Sequence, residues 1–556
     1  MLLTCASLPA PTELVARASD QGAVDTAAAV ERLAARRIVV IDDDGRLSLT
    51  RSADVIARVK ASPAERSSAH QALAEAIGHS GASGDPGRTV AQTHHLMHAT
   101  DSVGWDDVSP ALAESVRYLE SLGAYEDIVA LCGTRSPDQW PEGEHTLALL
   151  VALGRAQMRM GHPDTGRQTL ERCLALARAD AQSYWFGESL RALLEERAPQ
   201  TLDASARVLI HEALDLLDDE TSETRVQLLT DMANSWYFSD LEQAASWADQ
   251  ALSVGRQAAP ATRARALTGV IQAKLRPDNA QERLELALEA QHWARRADST
   301  ETLVLALTYE VNALMDLGEL RRAGPPLRYA EALAAEVQVP RFRWWAAAWS
   351  ALLDFALGDL TAAERGFLTA YELWPSSSSF DPFECFASQT AALRFVQDRG
   401  AELVPILADL SGPDARVEYL APATVAFAQA GDMAKATNLL DRLLAPSALP
   451  SRHDTVRGFA LAMAAETAFA TNAAHHAPVL LDMLTPLVDV HATLNVWGGG
   501  GFYWGSLRHA YGLILSLDGR IGQARAELEQ AASEQARAGA MLFAERSRHA
   551  ALSLAS

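Results

Sequence analysis

The feature that most constrains the fold of this chain is a repeated helical hairpin. In each copy a helix ends at a glycine turn, and a second helix rich in alanine and leucine follows. The copies occupy residues 153–177, 311–334, 350–373, 422–444 and 511–532. Their turn glycines are Gly161, Gly318, Gly358, Gly431 and Gly519, at separations close to multiples of about 40 residues.

The chemistry of the repeat predicts how the copies pack. A left-handed glycine ends the first helix, alanine side chains let the two helices approach closely, and leucines at helical spacing form one apolar stripe. A single hairpin cannot bury that stripe alone, so we expect the copies to stack into a superhelix with a long concave face. The predicted fold is therefore all-α, a tetratricopeptide-like superhelix of helical hairpins.

The composition agrees with a helical fold. Hydrophobic residues make up 49% of the 556 residues and aromatic residues only 6%, so the apolar content is mainly alanine and leucine, which favour helices. No run of about 18 apolar residues is present, which argues against a membrane-spanning helix. The apolar start of the chain is too short for a signal peptide, and we expect a cytoplasmic protein.

Charge and cysteine usage limit the partners and the compartment. The net charge is −23, whereas nucleic-acid binding draws on lysine and arginine, so we do not expect nucleic acid to bind across the whole surface. The cysteines are Cys5, Cys132, Cys173 and Cys385, and no two of them form a closely spaced pair. We interpret them as buried free thiols in a reducing compartment.

The N-terminal segment differs from the repeats. A helix over 27–35 precedes an apolar strand over 37–41, and the Asp44-Gly45 turn leads to an alternating strand over 47–49, the pattern of a tight hairpin. Residues 62–65, Ser-Pro-Ala-Glu, have the spacing of a helix cap with proline at the first helical position. Helix, hairpin and helix in this order are typical of the end of a winged-helix unit.

These patterns divide the chain into three parts. We predict a winged-helix-like α+β unit over 1–80, a linker rich in glycine and serine over 81–89, and the repeat superhelix over 90–556.

The usual catalytic motifs are absent from the sequence. The pair Gly-Lys does not occur, which excludes the phosphate loop of P-loop NTPases. There is no GxGxxG after a strand, no GxSxG and no HExxH, because His211-Glu212 is followed by Asp215 where the last motif needs histidine. We therefore expect no enzyme activity and no cofactor.

Two histidine clusters are candidates for a metal site. His94 and His98 lie four residues apart on a predicted helix, next to His95, and could form a two-ligand metal platform. No nearby cysteine or carboxylate completes it, so we interpret the cluster as a polar helix face and predict no metal. We interpret the pair His475-His476 as a loop or a helix start.

An unusually aromatic segment supplies candidate binding residues. Arg341, Arg343, Trp345 and Trp349 fall within nine residues, and Trp374 follows. At helical spacing Trp345 and Trp349 share one face, which favours a place in the core. The alternative is a ligand or partner surface, because arginine and tryptophan are favoured at binding hot spots.

The glycine-rich segment 495–505 supplies the remaining candidates. It contains Trp497, Tyr503 and Trp504 around four consecutive glycines, which do not sit in a stable helix interior. One interpretation is a flexible connection between helices. The other is an exposed loop that closes on a ligand.

The order of these segments resembles a known family. Residues 38–49 and then 63–77, which begin Pro-Ala-Glu-Arg, are similar to the family's hairpin and following helix, and residues 504–520 and 538–547 are similar to its late repeats. On these motifs, residues from about 25 to 556 resemble the region C-terminal to the ATPase core in large actinobacterial LuxR-family (LAL-type) regulators and related STAND-type ATPases.

The resemblance implies a sensor or scaffold region in transcriptional regulation. In the family this region binds an inducer or a protein partner and controls self-assembly. The family's Walker-type ATPase and LuxR-type helix-turn-helix find no match here, so ATP hydrolysis and LuxR-type DNA recognition are not implied. We therefore expect a non-catalytic sensor or adaptor that binds a small-molecule inducer or a protein partner on its concave face and could form a homo-oligomer.

Two alternatives remain open at this stage. The N-terminal unit could bind DNA, because five arginines give it local positive charge: Arg36, Arg37, Arg46, Arg51 and Arg58. The chain could also be an accessory or enzymatic protein of a biosynthetic pathway, with a site inside the superhelix near the tryptophans.

Overall fold

The computed structural model describes residues 10–19, 23–36, 38–42, 46–49, 61–79, 86–99, 103–195, 202–217, 222–337, 340–374, 382–496 and 498–554. The chain divides into two compact units, Met1–Glu196 and Arg197–Ser556. Helices dominate both units, which confirms the predicted all-α, tetratricopeptide-like fold with a small α+β part at the N-terminus.

The first unit begins with a small three-stranded sheet. Its strands are β1 (Ala10–Pro11), β2 (Val39–Ile41) and β3 (Arg46–Leu49), and its first helices are α1 (Thr12–Ala18) and α2 (Ala23–Ala35). The strand order is β1-β3-β2, and both pairs are antiparallel. The β2–β3 pairing confirms the predicted hairpin, while the Asp44-Gly45 turn lies outside the described residues.

The predicted helix cap is present at the start of the next helix, α3 (Pro63–Gly78). The Ser62 hydroxyl accepts a hydrogen bond from the backbone N–H of Glu65 at 3.2 Å, and a Glu65 carboxylate oxygen accepts one from the backbone N–H of Ser62 at 2.8 Å. The backbone N–H of Ser62 and its hydroxyl, which donates to the same carboxylate oxygen at 2.9 Å, lower the pKa of Glu65. The two residues thus form a reciprocal capping box.

The rest of the first unit consists of helices. They are α4 (Pro86–His98), α5 (Trp105–Ser121), α6 (Tyr125–Cys132), α7 (Glu144–Arg159), α8 (Pro163–Ala179) and α9 (Ser183–Glu195), with a 3-10 turn at Pro137–Gln139. Helix α4 begins inside the predicted linker, since proline is well placed at the first position of a helix. Residues 81–85 of that linker lie outside the described residues.

The second unit is a succession of helices with one β-hairpin. Its first helices are α10 (Ala204–Leu216), α11 (Glu223–Trp236), α12 (Leu241–Gly255), α13 (Pro260–Ala273), α14 (Ala280–Arg296), α15 (Thr300–Asp316), α16 (Leu320–Glu336), α17 (Pro340–Leu357) and α18 (Leu360–Glu372). They are followed by α19 (Phe383–Val396), α20 (Val404–Leu410), α21 (Val417–Gln429), α22 (Met433–Leu443), α23 (Val456–Ala470) and α24 (Ala477–Leu484). The chain then forms β4 (His491–Val496), β5 (Gly499–Ser506), α25 (Leu507–Leu517), α26 (Ile521–Ala538) and α27 (Met541–Ser553).

The 40-residue period is visible in the packing of three successive hairpins. Ala290, Ala330 and Ala370 are spaced 40 residues apart on α14, α16 and α18, and each is at most 1% exposed. Each lies on the face of the second helix of its hairpin that is turned towards the core. Alanine recurs at this position because the two helices approach closely there.

The predicted helix-ending glycines all have the expected backbone conformation. The φ angles are positive at Gly161, Gly318, Gly358, Gly431 and Gly519, between 70° and 95°. A residue with a Cβ atom is strained in this region, so glycine at these positions fixes where each first helix ends.

The β-hairpin β4–β5 is the feature of the second unit that the sequence did not predict. Its strands are antiparallel, with Thr493 opposite Tyr503 and Leu494 opposite Phe502. β5 packs against α17 and α19, while β4 packs against α15 and α23. The hairpin therefore joins helices that are far apart in the sequence.

The cysteines within the described residues are buried thiols, as predicted. Cys132, Cys173 and Cys385 are free and at most 1% exposed. Burial raises the pKa of the Cys132 thiol to about 12 and that of Cys173 to about 11, so these thiols are protonated and poorly nucleophilic at neutral pH. Cys5 lies outside the described residues.

Among the described helices, none combines the length and the apolar character that a membrane-crossing helix needs.

Candidate functional site

The arginine- and tryptophan-rich segment forms the start of helix α17. Trp345 and Trp349 are one turn apart, as predicted, but their surroundings differ. Trp349 is fully buried, whereas Trp345 is partly exposed and packs at the margin of a small apolar cluster around Trp344. The two interpretations left open by the sequence, core and surface, therefore each apply to one of these two tryptophans.

Three of the predicted binding residues belong to the core. Trp349, Tyr503 and Trp504 are at most 5% exposed. The Tyr503 hydroxyl is 2.8 Å from Nδ1 of His491, and the Trp504 indole donates a hydrogen bond to Glu466 at 3.1 Å. Their polar atoms are thus engaged inside the protein, and we do not place a ligand on them.

The structure corrects both interpretations of the glycine-rich segment. Gly499, Gly500 and Gly501 lie in strand β5, which is buried along its whole length. A Cβ atom on Gly500 would come within 2.7 Å of the Trp349 ring, and one on Gly499 within 3.0 Å of the Trp344 ring. The glycines are needed because the strand backbone lies directly on the indole faces of α17, an arrangement that leaves no room for side chains.

Hydrogen bonds from α17 and α19 hold the glycine-rich end of the hairpin. The Trp349 indole donates to the carbonyl oxygen of Gly498 at 2.8 Å. The side-chain amide of Gln389, on α19, donates to the carbonyl oxygen of Gly500 at 2.6 Å. The segment is therefore neither a flexible connection nor a mobile loop over a ligand.

The remaining predicted residues form a surface patch at the tip of the hairpin. Trp345 and Trp374 are partly exposed and pack against the same cluster, together with Val496 at the end of β4. The Trp374 ring meets Trp344 edge-on at 5.0 Å, and the Arg341 guanidinium lies 5.8 Å from the centre of the Trp345 ring. We call Arg341, Trp345, Trp374 and Val496 the tip patch.

Two further predicted residues are close to this patch in sequence. Arg343 is exposed on the same first turns of α17. Trp497 lies outside the described residues. Arginine beside partly exposed tryptophan is a combination that recurs at the centres of protein interfaces.

A chain of polar groups at the C-terminal end has the connectivity of a hydrolase triad. Glu466 lies 3.4 Å from Nε2 of His509, and Nδ1 of His509 lies 2.9 Å from the Ser547 hydroxyl. However, Ser547 is 0% exposed, and its hydroxyl donates to the carbonyl oxygen of Phe543 at 3.2 Å while it accepts from Gln535 at 2.8 Å. A hydroxyl that is buried and hydrogen-bonded in this way cannot reach a substrate. We therefore interpret this series of polar groups as a structural network.

The carboxylate of this network is strongly stabilised in its charged form. Burial alone would raise the pKa of Glu466, but the adjacent Arg546 and hydrogen bonds from His509 and Trp504 outweigh burial and lower the pKa to about 2. The Arg546 guanidinium also stacks over the Trp504 ring at 4.3 Å. Trp504 is therefore held in place both by apolar packing and by the ion pair of Arg546 with Glu466.

A second polar network lies at the centre of the second unit. Arg283 is 1% exposed; it donates to Asn312 Oδ1 at 2.8 Å and forms an ion pair with Asp316, which also accepts from the Thr493 hydroxyl. Burial raises the pKa of Asp316, although Arg283 and Thr493 act in the opposite direction. The network joins α14, α15 and β4. Sequence reasoning missed it because its members are up to 210 residues apart.

The first histidine cluster is only partly the polar helix face that the sequence predicted, since His98 is exposed and His94 half-buried. His95 is buried at 7% exposure, and its Nδ1 lies 2.9 Å from Nδ1 of His70 on α3. His94 and His98 also lie within 7 Å of His70, measured between ring centres. The prediction failed at His95 because His70, 25 residues earlier, was not recognised as the partner that draws this face of α4 into the interior.

The structure describes two of the five arginines on which the DNA-binding alternative rests. Arg36 and Arg46 are exposed on the first unit. Arg37, Arg51 and Arg58 lie outside the described residues, so a basic surface is not defined by the structure.

Comparisons with known proteins give similarity at the level of fold. No family model matches the sequence, and no curated protein matches it. Among solved structures, the chain is similar to a STAND protein with a tetratricopeptide repeat sensor from Pyrococcus horikoshii, with 12% identity and a TM-score of 0.34 over 67% of this chain and 62% of that one. The chain thus spans less than two thirds of that protein's length.

Three other solved structures are similar over a larger share of this chain. The Cut9–Hcn1 hetero-tetramer of the APC/C is 11% identical, with a TM-score of 0.43 over 89% of this chain and 91% of that one. Yeast Tom70 is 12% identical, with a TM-score of 0.33 over 87% and 92%. A complex of a Rap protein with the competence and sporulation factor is 12% identical, with a TM-score of 0.33 over 73% and 97%.

Proposed function

We propose that this chain is a non-catalytic binding module whose tip patch holds a segment of a protein partner. The observation that carries the proposal is the grouping of the partly exposed Trp345 and Trp374 with Arg341, on a unit whose other described aromatic candidates are buried. This role accords with the sensor or adaptor function that the resemblance to LAL-type regulators implies.

The proposed site lies at the end of the hairpin. Strands β4 and β5 pack against α15, α17, α19 and α23 of the chain itself, so most of their length is covered. The partner is therefore expected where the hairpin ends.

The chemistry of the patch defines the partner segment. Two partly exposed indoles offer flat apolar surface, and the exposed guanidinium group of Arg343 offers positive charge in a chain whose net charge is −23. A peptide segment that carries an aromatic or large aliphatic side chain next to a carboxylate would satisfy both features.

The experiment is a selection of displayed random peptides on the purified full chain, followed by fluorescence titration of the selected peptides. We expect selected peptides to combine acidic and aromatic residues and to bind less tightly as salt increases. Trp345→Ala or Trp374→Ala should weaken binding by at least about 30-fold, since truncation of a hot-spot residue costs about 2 kcal/mol or more.

The matched control is Trp247→Ala, which removes a half-buried tryptophan from α12, away from the patch. It should leave peptide affinity unchanged. The proposal is wrong if no peptide is selected, or if the selected peptides bind the patch variants and the wild-type chain equally well.

A further inference from the structure

A second group of side chains with ligand chemistry lies on the C-terminal hairpins of the second unit, apart from the residues of the tip patch. Asp441 is on α22, and His475 and His476 are in the 3-10 turn Ala474–His476 that leads into α24. This placement confirms the predicted helix start at the histidine pair. Asp441 and the histidines belong to successive hairpins, α21–α22 and α23–α24.

The three side chains converge on one point. The Asp441 Oδ1 atom lies 2.7 Å from Nε2 of His476 and 3.5 Å from Nε2 of His475. The two imidazole centres are 4.0 Å apart, and one ligand atom from each of the three residues lies within 4.8 Å of the other two. Side chains of adjacent residues usually point in different directions, whereas here both Nε2 atoms lie close to one carboxylate oxygen.

A simple hydrogen bond accounts for only part of this geometry. The contact of His476 with Asp441 is a good hydrogen bond, but the 3.5 Å separation of His475 is at the outer limit for one. A tetrahedral ion with bonds of about 2.0–2.1 Å to nitrogen and oxygen places its ligand atoms about 3.3 Å apart. The observed separations bracket that value, so small rotations of exposed side chains bring all three ligands to an ion.

We propose that Asp441, His475 and His476 form a binding site for a borderline divalent cation of the zinc class. Two imidazoles and one carboxylate suit Zn²⁺, Co²⁺ or Ni²⁺, whereas Mg²⁺ and Ca²⁺ prefer sites made of oxygen ligands. The His476 side chain is 14% exposed and fixed by packing, while those of His475 and Asp441 are 62% and 51% exposed and accessible to an ion from solvent.

The other histidine cluster of the chain lacks this geometry. The Nδ1 atoms of His70 and His95 meet at 2.9 Å, but the imidazoles of His70 and His98 are stacked, with centres 4.7 Å apart and planes at 22°. Among the described residues, the convergence of at least three ligand atoms is found at Asp441, His475 and His476.

The site would have a mechanical role. The ion would join α22 to the start of α24 and so clamp two successive hairpins, with a fourth coordination position left for water or an external ligand.

The test is calorimetric titration of the full chain, without a purification tag and stripped of metal with a chelator, with ZnCl2 at about pH 7.5. We expect one equivalent of Zn²⁺ to bind with roughly micromolar affinity, Co²⁺ to give the visible absorption of a low-symmetry complex, and MgCl2 to give no binding heat. Zn²⁺ should also raise the melting temperature, because a ligand that binds only the folded state stabilises it.

The decisive variant is His475→Ala, which alters an exposed side chain and is expected to fold normally. It should weaken Zn²⁺ binding at least about tenfold and abolish the rise in melting temperature. His145→Ala, at another exposed histidine, and the double variant His94→Ala/His98→Ala should retain both. The proposal is overturned if Zn²⁺ does not bind, if Mg²⁺ binds equally well, or if His475→Ala binds like the wild type. These outcomes are independent of peptide binding at the tip patch.

Discussion

The indole Nε1 of Trp349 donates a 2.8 Å hydrogen bond to the carbonyl oxygen of Gly498, 149 residues further along the chain. Trp349→Phe keeps an aromatic ring at this buried position, but the phenyl ring has no N–H to donate to that carbonyl. An unsatisfied buried polar group costs about 1–3 kcal/mol, so we expect the free energy of unfolding of the second unit to decrease by that amount. Urea denaturation followed by far-ultraviolet circular dichroism measures it, and Trp247→Phe on α12 is the control, expected to have a smaller effect.

The backbone of β5 lies against the same indole, which gives a second prediction. In Gly500→Ala the new methyl group would lie 2.7 Å from the Trp349 ring and 2.9 Å from Leu352. Overpacking of this kind costs about 1–3 kcal/mol. In Gly522→Ala nothing lies within 4 Å of the added Cβ, and because this glycine is in helix α26 the change should stabilise by up to about 1 kcal/mol. Equal melting temperatures for the two variants would contradict the packing described for β5.

The buried histidine cluster predicts a pH dependence of stability in the first unit. Burial, and then the neighbouring imidazoles of His70, His94 and His98, lower the pKa of His95 to about 3. Arg135, which faces the cluster from beyond α6, also lowers the pKa of His98. The unfolded chain takes up a proton near pH 6.5 and the folded chain does not. Stability is therefore full above about pH 6.5 and is lost progressively as the pH falls from there towards 3.

The measurement for this cluster is the melting temperature of the first-unit transition between about pH 7.5 and 5. The wild type should lose stability as the pH falls, and His95→Gln should lose less, since glutamine does not titrate. His145→Ala, at an exposed histidine, should follow the wild type. If His95→Gln has the same pH dependence as the wild type, His95 is not the group responsible.

Glu466 predicts an effect at lower pH. Its folded pKa of about 2 is below the usual value of 4.5, so the carboxylate contributes stability that is complete above about pH 4.5 and is lost as the pH falls towards 2. Glu466→Gln removes the charge opposite Arg546 and should cost about 1.5–3 kcal/mol at neutral pH, with a smaller difference from the wild type near pH 3. Urea titrations at the two pH values check this, with Glu529→Gln as an exposed control. An equal cost at both pH values would exclude a charge effect.

The features that the sequence predicted well are those with local causes. Gly318 and Gly358 end their helices because glycine adopts positive φ without strain, and the capping box of Ser62 and Glu65 depends on residues three positions apart. Neither feature needs knowledge of distant neighbours.

The features that the sequence did not predict depend on distant neighbours. Four consecutive glycines do not fit a stable helix interior, and they favour a flexible connection or an exposed loop. They form a strand here because its backbone packs against Trp344 and Trp349, where a larger residue could not approach. In the same way, Trp345 and Trp374 belong to the tip patch, whereas Trp504 is buried. The sequence alone does not reveal which tryptophan a distant segment will cover.

The hairpin β4–β5 also has a consequence for the order in which the chain can complete its fold. In a simple solenoid each repeat contacts its neighbours, so repeats can become stable one after another as the ribosome releases them. Here the inner surface of α17 remains uncovered until residues 491–506 have been synthesised, about 150 residues later. During that interval the nascent chain exposes the Trp344 and Trp349 side chains that the hairpin later covers, and we expect fragments that stop before residue 506 to aggregate or to be degraded, whereas a fragment that includes the hairpin would be protected.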